Sequence, residues 1–72
     1  MKTDYELILL AAFRYALGRK TYIVGAVVDA ILEKERSEFF IKTIQKEIRQ
    51  AIETGNAGMD MDIRQWKRLL SL

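Results

Sequence analysis

The clearest pattern in this chain is residues 37–53, which read SEFFIKTIQKEIRQAIE. The apolar residues recur at the three- and four-residue spacing of one helix face, with polar side chains between them. This stripe consists of Phe40 or Ile41, then Ile44, Ile48 and Ile52. Ser37 stands in the position of an N-cap, where a hydroxyl accepts a hydrogen bond from a free backbone N–H group. The stretch predicts an amphipathic helix over 38–53.

The segment before it predicts a helix over about 4–17. Thr3 and Glu6 have the spacing of a capping box, and Gly18 supplies the left-handed residue that often ends a helix. After its first residue, this helix carries only two charged side chains, Glu6 and Arg14. A helix that is apolar on most sides belongs in the centre of a bundle or in an interface between copies.

Two more helices complete the set. Residues 22–34 begin with a valine- and isoleucine-rich stretch that also favours a short strand, but the helical spacing continues without a break to Lys34. Gly25 is expected to let another backbone approach closely. Residues 61–70 predict a last helix, with Asp60 as its cap. Its inward residues are expected to be Ile63, Trp66 and Leu70.

The fold class that follows is all-α, a compact bundle of four short helices at about 4–17, 22–34, 38–53 and 61–70. The 72 residues form a single domain, 1–72, because no linker or repeat divides the chain. A domain of this size buries only about 60% of the surface of its unfolded chain, so it needs very good helix packing or self-association. We therefore expect a homodimer.

The composition argues against most kinds of catalysis. The chain has no Cys and no His, so it has neither a thiolate or imidazole metal ligand nor a Cys/His or Ser/His nucleophile. We expect a protein that is not an enzyme and that uses no cofactor or metal. No apolar stretch approaches the roughly 20 residues that span a bilayer, and no signal peptide is recognisable. We expect a soluble, cytoplasmic protein with no membrane partner.

Cationic residues gather at two places, although the formal net charge is only +2. The first is the turn after the first helix, where they and free helix N–H groups can hold a phosphate or carboxylate. This candidate anion or partner site consists of Arg14, Arg19, Lys20 and Thr21. The second is an edge of the last helix, whose mixture of Trp and cations is typical of interface hot spots. With two tyrosines, this candidate interface consists of Tyr15, Tyr22, Arg64, Trp66, Lys67 and Arg68.

Both groups also have a purely structural interpretation. Thr21 can cap the second helix while the neighbouring cations stay solvated. Trp66 can anchor the core, and the cations beside it can complement the helix dipole. The spacing of Trp66 with Ile63 and Leu70 favours the core.

Residues 12–24, which read AFRYALGRKTYIV, carry a more specific signal. They resemble an aromatic-Arg-Tyr-Ala-Leu-Gly-Arg-x-Thr-Tyr motif found near the N-terminus of small bacteriophage and prophage proteins, mainly of Gram-positive bacteria. The chain departs from that group after the second helix, where residues 34–36 replace an expected Trp or Pro. No activity is established for the group, so the resemblance implies a phage context, in which tiny proteins often block host proteins.

The function expected is that of a non-enzymatic phage or mobile-element protein that binds a host protein machine and modulates or inhibits it, as anti-defence or anti-CRISPR proteins do. The alternative is a small nucleic-acid- or nucleotide-binding protein that uses Arg14, Arg19 and Lys20. Salt separates the two, because phosphate contacts weaken steeply with salt and apolar interfaces do not.

Overall fold

The computed structural model describes residues 4–19 and 23–72, which form four α-helices. These are α1 (Asp4–Ala16), α2 (Ile23–Glu33), α3 (Glu38–Glu53) and α4 (Asp60–Leu70). The all-α prediction is confirmed, and each end lies within one residue of its predicted position. Within the described ranges there is no strand, and α2 is helical from Ile23 onward. The predicted cap at Thr3 lies outside them. None of the described helices is long and apolar enough to cross a membrane.

The four helices lie around the corners of a square. α1 and α4 each adjoin α2 and α3, which leaves α1 and α4 diagonally opposite each other. Two buried aromatic side chains, Phe13 of α1 and Trp66 of α4, bridge this diagonal with ring centroids 5.2 Å apart and planes at 85°. Such an edge-to-face contact sets the positive rim of one ring against the negative face of the other.

Trp66 is held by apolar packing rather than by a polar contact. Its side chain is fully buried, and its indole N–H has no hydrogen-bond partner among the described residues. The interpretation of Trp66 as a core anchor is therefore correct, and its place in the candidate interface is wrong. On the same helix, Leu69 is buried and Leu70 only partly so, which places the centre of the inward face nearer to Leu69 than expected.

The rest of the core comes mainly from α2 and α3. Their buried residues are Val24, Val27, Val28, Ile31, Phe40, Ile44, Ile48 and Ala51. Phe40 and not Ile41 starts the stripe on α3, while Ile41 and Ile52 are half-buried at its sides. Gln45 is half-buried beside this stripe and donates to the Leu69 carbonyl at 2.9 Å, which joins α3 to the end of α4.

Two glycines show where the helices and loops approach one another. Gly18 has φ +83°, and a Cβ built on it would lie 2.5 Å from the Asn56 carbonyl oxygen. The end of α1 therefore packs tightly against the loop between α3 and α4. The close backbone approach expected at Gly25 is wrong, since its nearest neighbour is the side chain of Gln65 in α4, at 3.9 Å.

The N-terminus of α3 is capped from another helix. The Ser37 hydroxyl accepts from the Phe40 N–H at 3.1 Å, which confirms the predicted N-cap. The Ser37 N–H in turn donates to Glu6 Oε2 at 2.6 Å, and the hydroxyl donates to Glu6 Oε1 at 3.2 Å. In a capping box this acceptor is the side chain three residues after the cap. Here that residue is Phe40, and Glu6 of α1 supplies the carboxylate.

The start of α4 also differs from expectation. Asp60 is the first helical residue and Met59 takes the N-cap position. The Met59 N–H donates to Asp62 Oδ2 at 3.0 Å, so the free backbone group is satisfied by a carboxylate one turn further on. Asp60 and Asp62 both lie in the first turn of α4, where their negative charges interact favourably with the positive end of the helix dipole.

The core assignment predicts large losses on truncation. Trp66→Ala should lower the free energy of unfolding by about 3–5 kcal/mol and Ile44→Ala by about 2–5 kcal/mol, because each leaves a cavity among buried neighbours. Met61→Ala is the control, since Met61 is 77% exposed on α4. Denaturant midpoints measured by circular dichroism test this, and equal midpoints for all three variants would contradict the assignment.

The contact between Glu6 and Ser37 predicts a second effect on stability. Glu6→Gln should cost about 1–2 kcal/mol and Glu6→Ala about 2–3 kcal/mol, because part or all of the acceptor for the part-buried Ser37 donors is lost. Glu38→Gln is the control, since it makes the same change at an exposed position next to Ser37. Urea unfolding measures all three, and an effect at Glu38 as large as that at Glu6 would show that only the helix dipole matters.

Candidate functional site

The outward face of α1 is apolar. Leu7 is 52% exposed, Ile8 67% and Tyr15 59%, and Ala11 is exposed between them. At 3.6 residues per turn these four positions lie within one face of the helix, opposite the buried Phe13. The face exists because α1 is apolar on more sides than the bundle can cover.

Phe39 of α3 extends this face. Its side chain is 62% exposed, and it lines a small groove together with Leu7 and the half-buried Leu10. The link between Glu6 and Ser37 brings these residues together, since Leu7 follows Glu6 and Phe39 lies two residues after Ser37. We call the set Leu7, Ile8, Ala11, Tyr15 and Phe39 the α1 surface.

Beside the α1 surface, Arg14 is bound to α3. Its Nη2 donates to Glu47 Oε2 at 2.6 Å and its Nε donates to Glu47 Oε1 at 3.0 Å. These hydrogen bonds raise the pKa of Arg14 above its ordinary value. Desolvation by partial burial lowers that pKa, and the negative charge of Glu47 raises it further. The guanidinium is thus already paired with a carboxylate, which reduces the positive charge it presents to an outside anion.

The other cation of the predicted turn, Arg19, folds back on α1. Its Nη1 donates to the Tyr15 carbonyl at 2.9 Å, and its guanidinium carbon lies 4.5 Å from the centroid of the Tyr15 ring. This cation–π contact holds a positive charge at the C-terminal end of the α1 surface. Lys20, Thr21 and Tyr22 lie outside the described residues. The predicted anion site is therefore described only at Arg14 and Arg19, which have separate partners.

A wide groove of about 760 Å³ lies between α1 and α3, and its lining combines polar groups with an equal share of apolar surface. The side chains that line it are Arg14, Leu17, Thr43, Lys46, Glu47, Gln50, Ala51, Thr54 and Asn56. Its charges include both signs, and hydroxyl and amide groups dominate the rest. Such a lining suits hydrogen bonding to a polar chain more than the binding of a single anion.

The basic edge of α4 lies on the far side of the bundle from α1. Arg64 and Lys67 are exposed there, as the sequence predicts. Arg68 is also exposed but lies 3.2 Å from Asp29 of α2, and it donates to Gln65 at 2.7 Å. With Trp66 in the core, the edge has no aromatic side chain of its own.

The sequence shows that α1 is too apolar for a single buried face, but it does not identify Leu7 and Ile8 of α1 or Phe39 of α3 as exposed residues. A helical projection groups Leu7 and Ile8, but only the position of Phe13 shows that this group faces outward. Phe39 belongs to another helix, so no local pattern connects it with them.

In the parts of the chain that the structure describes, no three acidic side chains are close enough to hold a metal ion. Comparison with protein-family models, curated proteins and solved structures gives no match.

The pair of Arg14 and Glu47 predicts a small coupling energy. A double-mutant cycle of Arg14→Ala and Glu47→Ala should give about 0.2–1 kcal/mol, because solvent screens a pair of which Arg14 is half exposed. Thermal and urea unfolding of the four proteins measure it. A coupling above about 2 kcal/mol would instead make this pair a principal link between α1 and α3.

Proposed function

We propose that this chain functions by binding another protein through the α1 surface. The observation that carries the proposal is the exposure of four large apolar side chains on one side of an otherwise well-packed bundle. At roughly 200 Å² for each large side chain, their exposed fractions leave about 500 Å² of apolar surface. That is as large as the largest apolar patch of a typical monomer, and such patches commonly mark binding sites.

The chemistry around the α1 surface also suits a protein partner. Arg19 and the side chains of the groove between α1 and α3 supply hydrogen-bonding groups beside it, as a polar rim surrounds an apolar centre in protein interfaces. Tyr15 and Phe39 supply aromatic area, which contributes most per residue in such interfaces.

The partner that we propose is a host protein in the cytoplasm of a bacterium, whose activity the bound chain modulates or inhibits. This part rests on the resemblance of residues 12–24 to small phage proteins and on the absence of Cys and His from the sequence. A small protein can inhibit an enzyme by covering its surface, without any chemistry of its own.

Nucleic-acid binding has weaker support. Arg14 and Arg68 each lie beside a carboxylate, and Arg64 and Lys67 are on the opposite side of the bundle from Arg19. A dedicated phosphate-binding face concentrates unpaired cations on one side.

The proposal predicts that one charge on the α1 surface abolishes binding. Ile8→Glu should weaken the affinity for the target at least about tenfold, because a carboxylate would be buried in an apolar interface. Met61→Glu is the matched control, since Met61 is 77% exposed on α4. Both variants should remain folded as judged by circular dichroism, because neither side chain is in the core.

The target is first identified by affinity capture from a bacterial lysate and then purified for calorimetric titration. If the wild type binds the target and both variants bind it equally well, the α1 surface is not the binding site. An affinity that falls steeply with salt and needs nucleic acid would favour the alternative function.

A further inference from the structure

We infer that the α1 surface binds a second copy of this chain, with the two α1 helices antiparallel about a two-fold axis at Ala11. The inference rests on the proposed function, since it takes the α1 surface as a protein-binding surface, and a second copy and the host protein then compete for it. The homodimer expected from composition thereby acquires a geometry and a set of contacting residues.

The charges at the two ends of α1 make the surface complementary to itself. Asp4 is exposed at the N-terminal end, and Arg19 lies over Tyr15 at the C-terminal end. Asp4 precedes Ala11 by seven residues, and Arg19 follows it by eight. An antiparallel pair centred on Ala11 therefore sets each Asp4 against the partner's Arg19, whereas a parallel pair sets like charges together.

The apolar side chains match in the same arrangement. Ile8 and Tyr15 lie three residues before and four residues after Ala11 on one helix face, so each Ile8 meets the partner's Tyr15. Ala11, the smallest side chain of the surface, is at the crossing point and lets the helices approach toward the near end of the usual 8–10 Å. In this arrangement Leu7 and Phe39 lie beside the contact between the two α1 helices and enlarge it.

The available area agrees with a dimer of moderate strength. Each copy contributes about 500 Å² of apolar surface, and a standard interface buries about 800 Å² per partner. The charged ends and Ala11 supply part of the difference. A dimer that is populated at tens of micromolar is the expected form.

Cysteine cross-linking tests the position of the axis, because the native chain has no Cys. Ala11→Cys should form a covalent dimer under mild oxidation at least about tenfold faster than Met61→Cys on α4, since a disulfide needs Cα atoms within about 7 Å. Equal rates for the two variants would overturn the inference.

Charge reversal tests the antiparallel orientation. Asp4→Arg and Arg19→Asp should each weaken the dimer at least about fivefold, and the double variant should restore its dissociation constant to within about twofold. Sedimentation gives the constants, and circular dichroism melts check that each variant is folded. Failure of the double variant to recover would overturn the antiparallel geometry.

The wild-type mass in solution gives the final test. A monomer at tens of micromolar, or a dimer that Ile8→Glu leaves intact, overturns the inference. If the wild type is monomeric and Ile8→Glu still abolishes binding of the purified target, the proposed function stands and the surface belongs to the target. If the dimer forms as described and Ile8→Glu binds the target normally, this inference stands and the proposed function fails at this surface.

Discussion

The contact between Phe13 and Trp66 connects the two helices that are not neighbours in this bundle. A chain of 72 residues has few side chains for its core, and two aromatic rings fill the centre that four short helices leave. Once Phe13 points at Trp66, the rotation of α1 about its own axis is determined. Ile8, Ala11 and Tyr15 must then face outward, because they lie on the other side of a helix with 3.6 residues per turn.

A second constraint comes from the buried carboxylate of Glu6. Burying a charged group is unfavourable unless strong hydrogen bonds compensate, and here the N-terminus of α3 provides them. The positive end of the helix dipole adds to the attraction. The same contact determines where α3 begins relative to α1, and so it places Phe39 beside Leu7. A polar interaction in the interior thus determines the shape of an apolar surface outside.

The molecule has two faces of different chemistry on opposite sides. The α1 surface is apolar with a charge of each sign at its ends, whereas the exposed edge of α4 carries Arg64, Lys67 and Arg68. Helices α2 and α3 separate the two faces, and each ties one of the neighbouring arginines to a carboxylate. Contact between copies through α1 would leave both α4 edges accessible at the ends of the dimer. Self-association through α1 therefore leaves the cations of α4 exposed.

The sequence alone determined the number of helices, their ends to within one residue and the burial of Ile44, Ile48 and Trp66. These features depend on spacing and capping within a few residues, which local physics decides. The sequence could not show which face of α1 is buried, because that helix is apolar on most sides and its hydrophobic pattern does not single out one face. Glu6 with Ser37, and Arg14 with Glu47, are 31 and 33 residues apart in sequence. Only the packing of the helices against one another brings such residues together, so the tertiary structure decided which apolar side chains remain exposed for a partner.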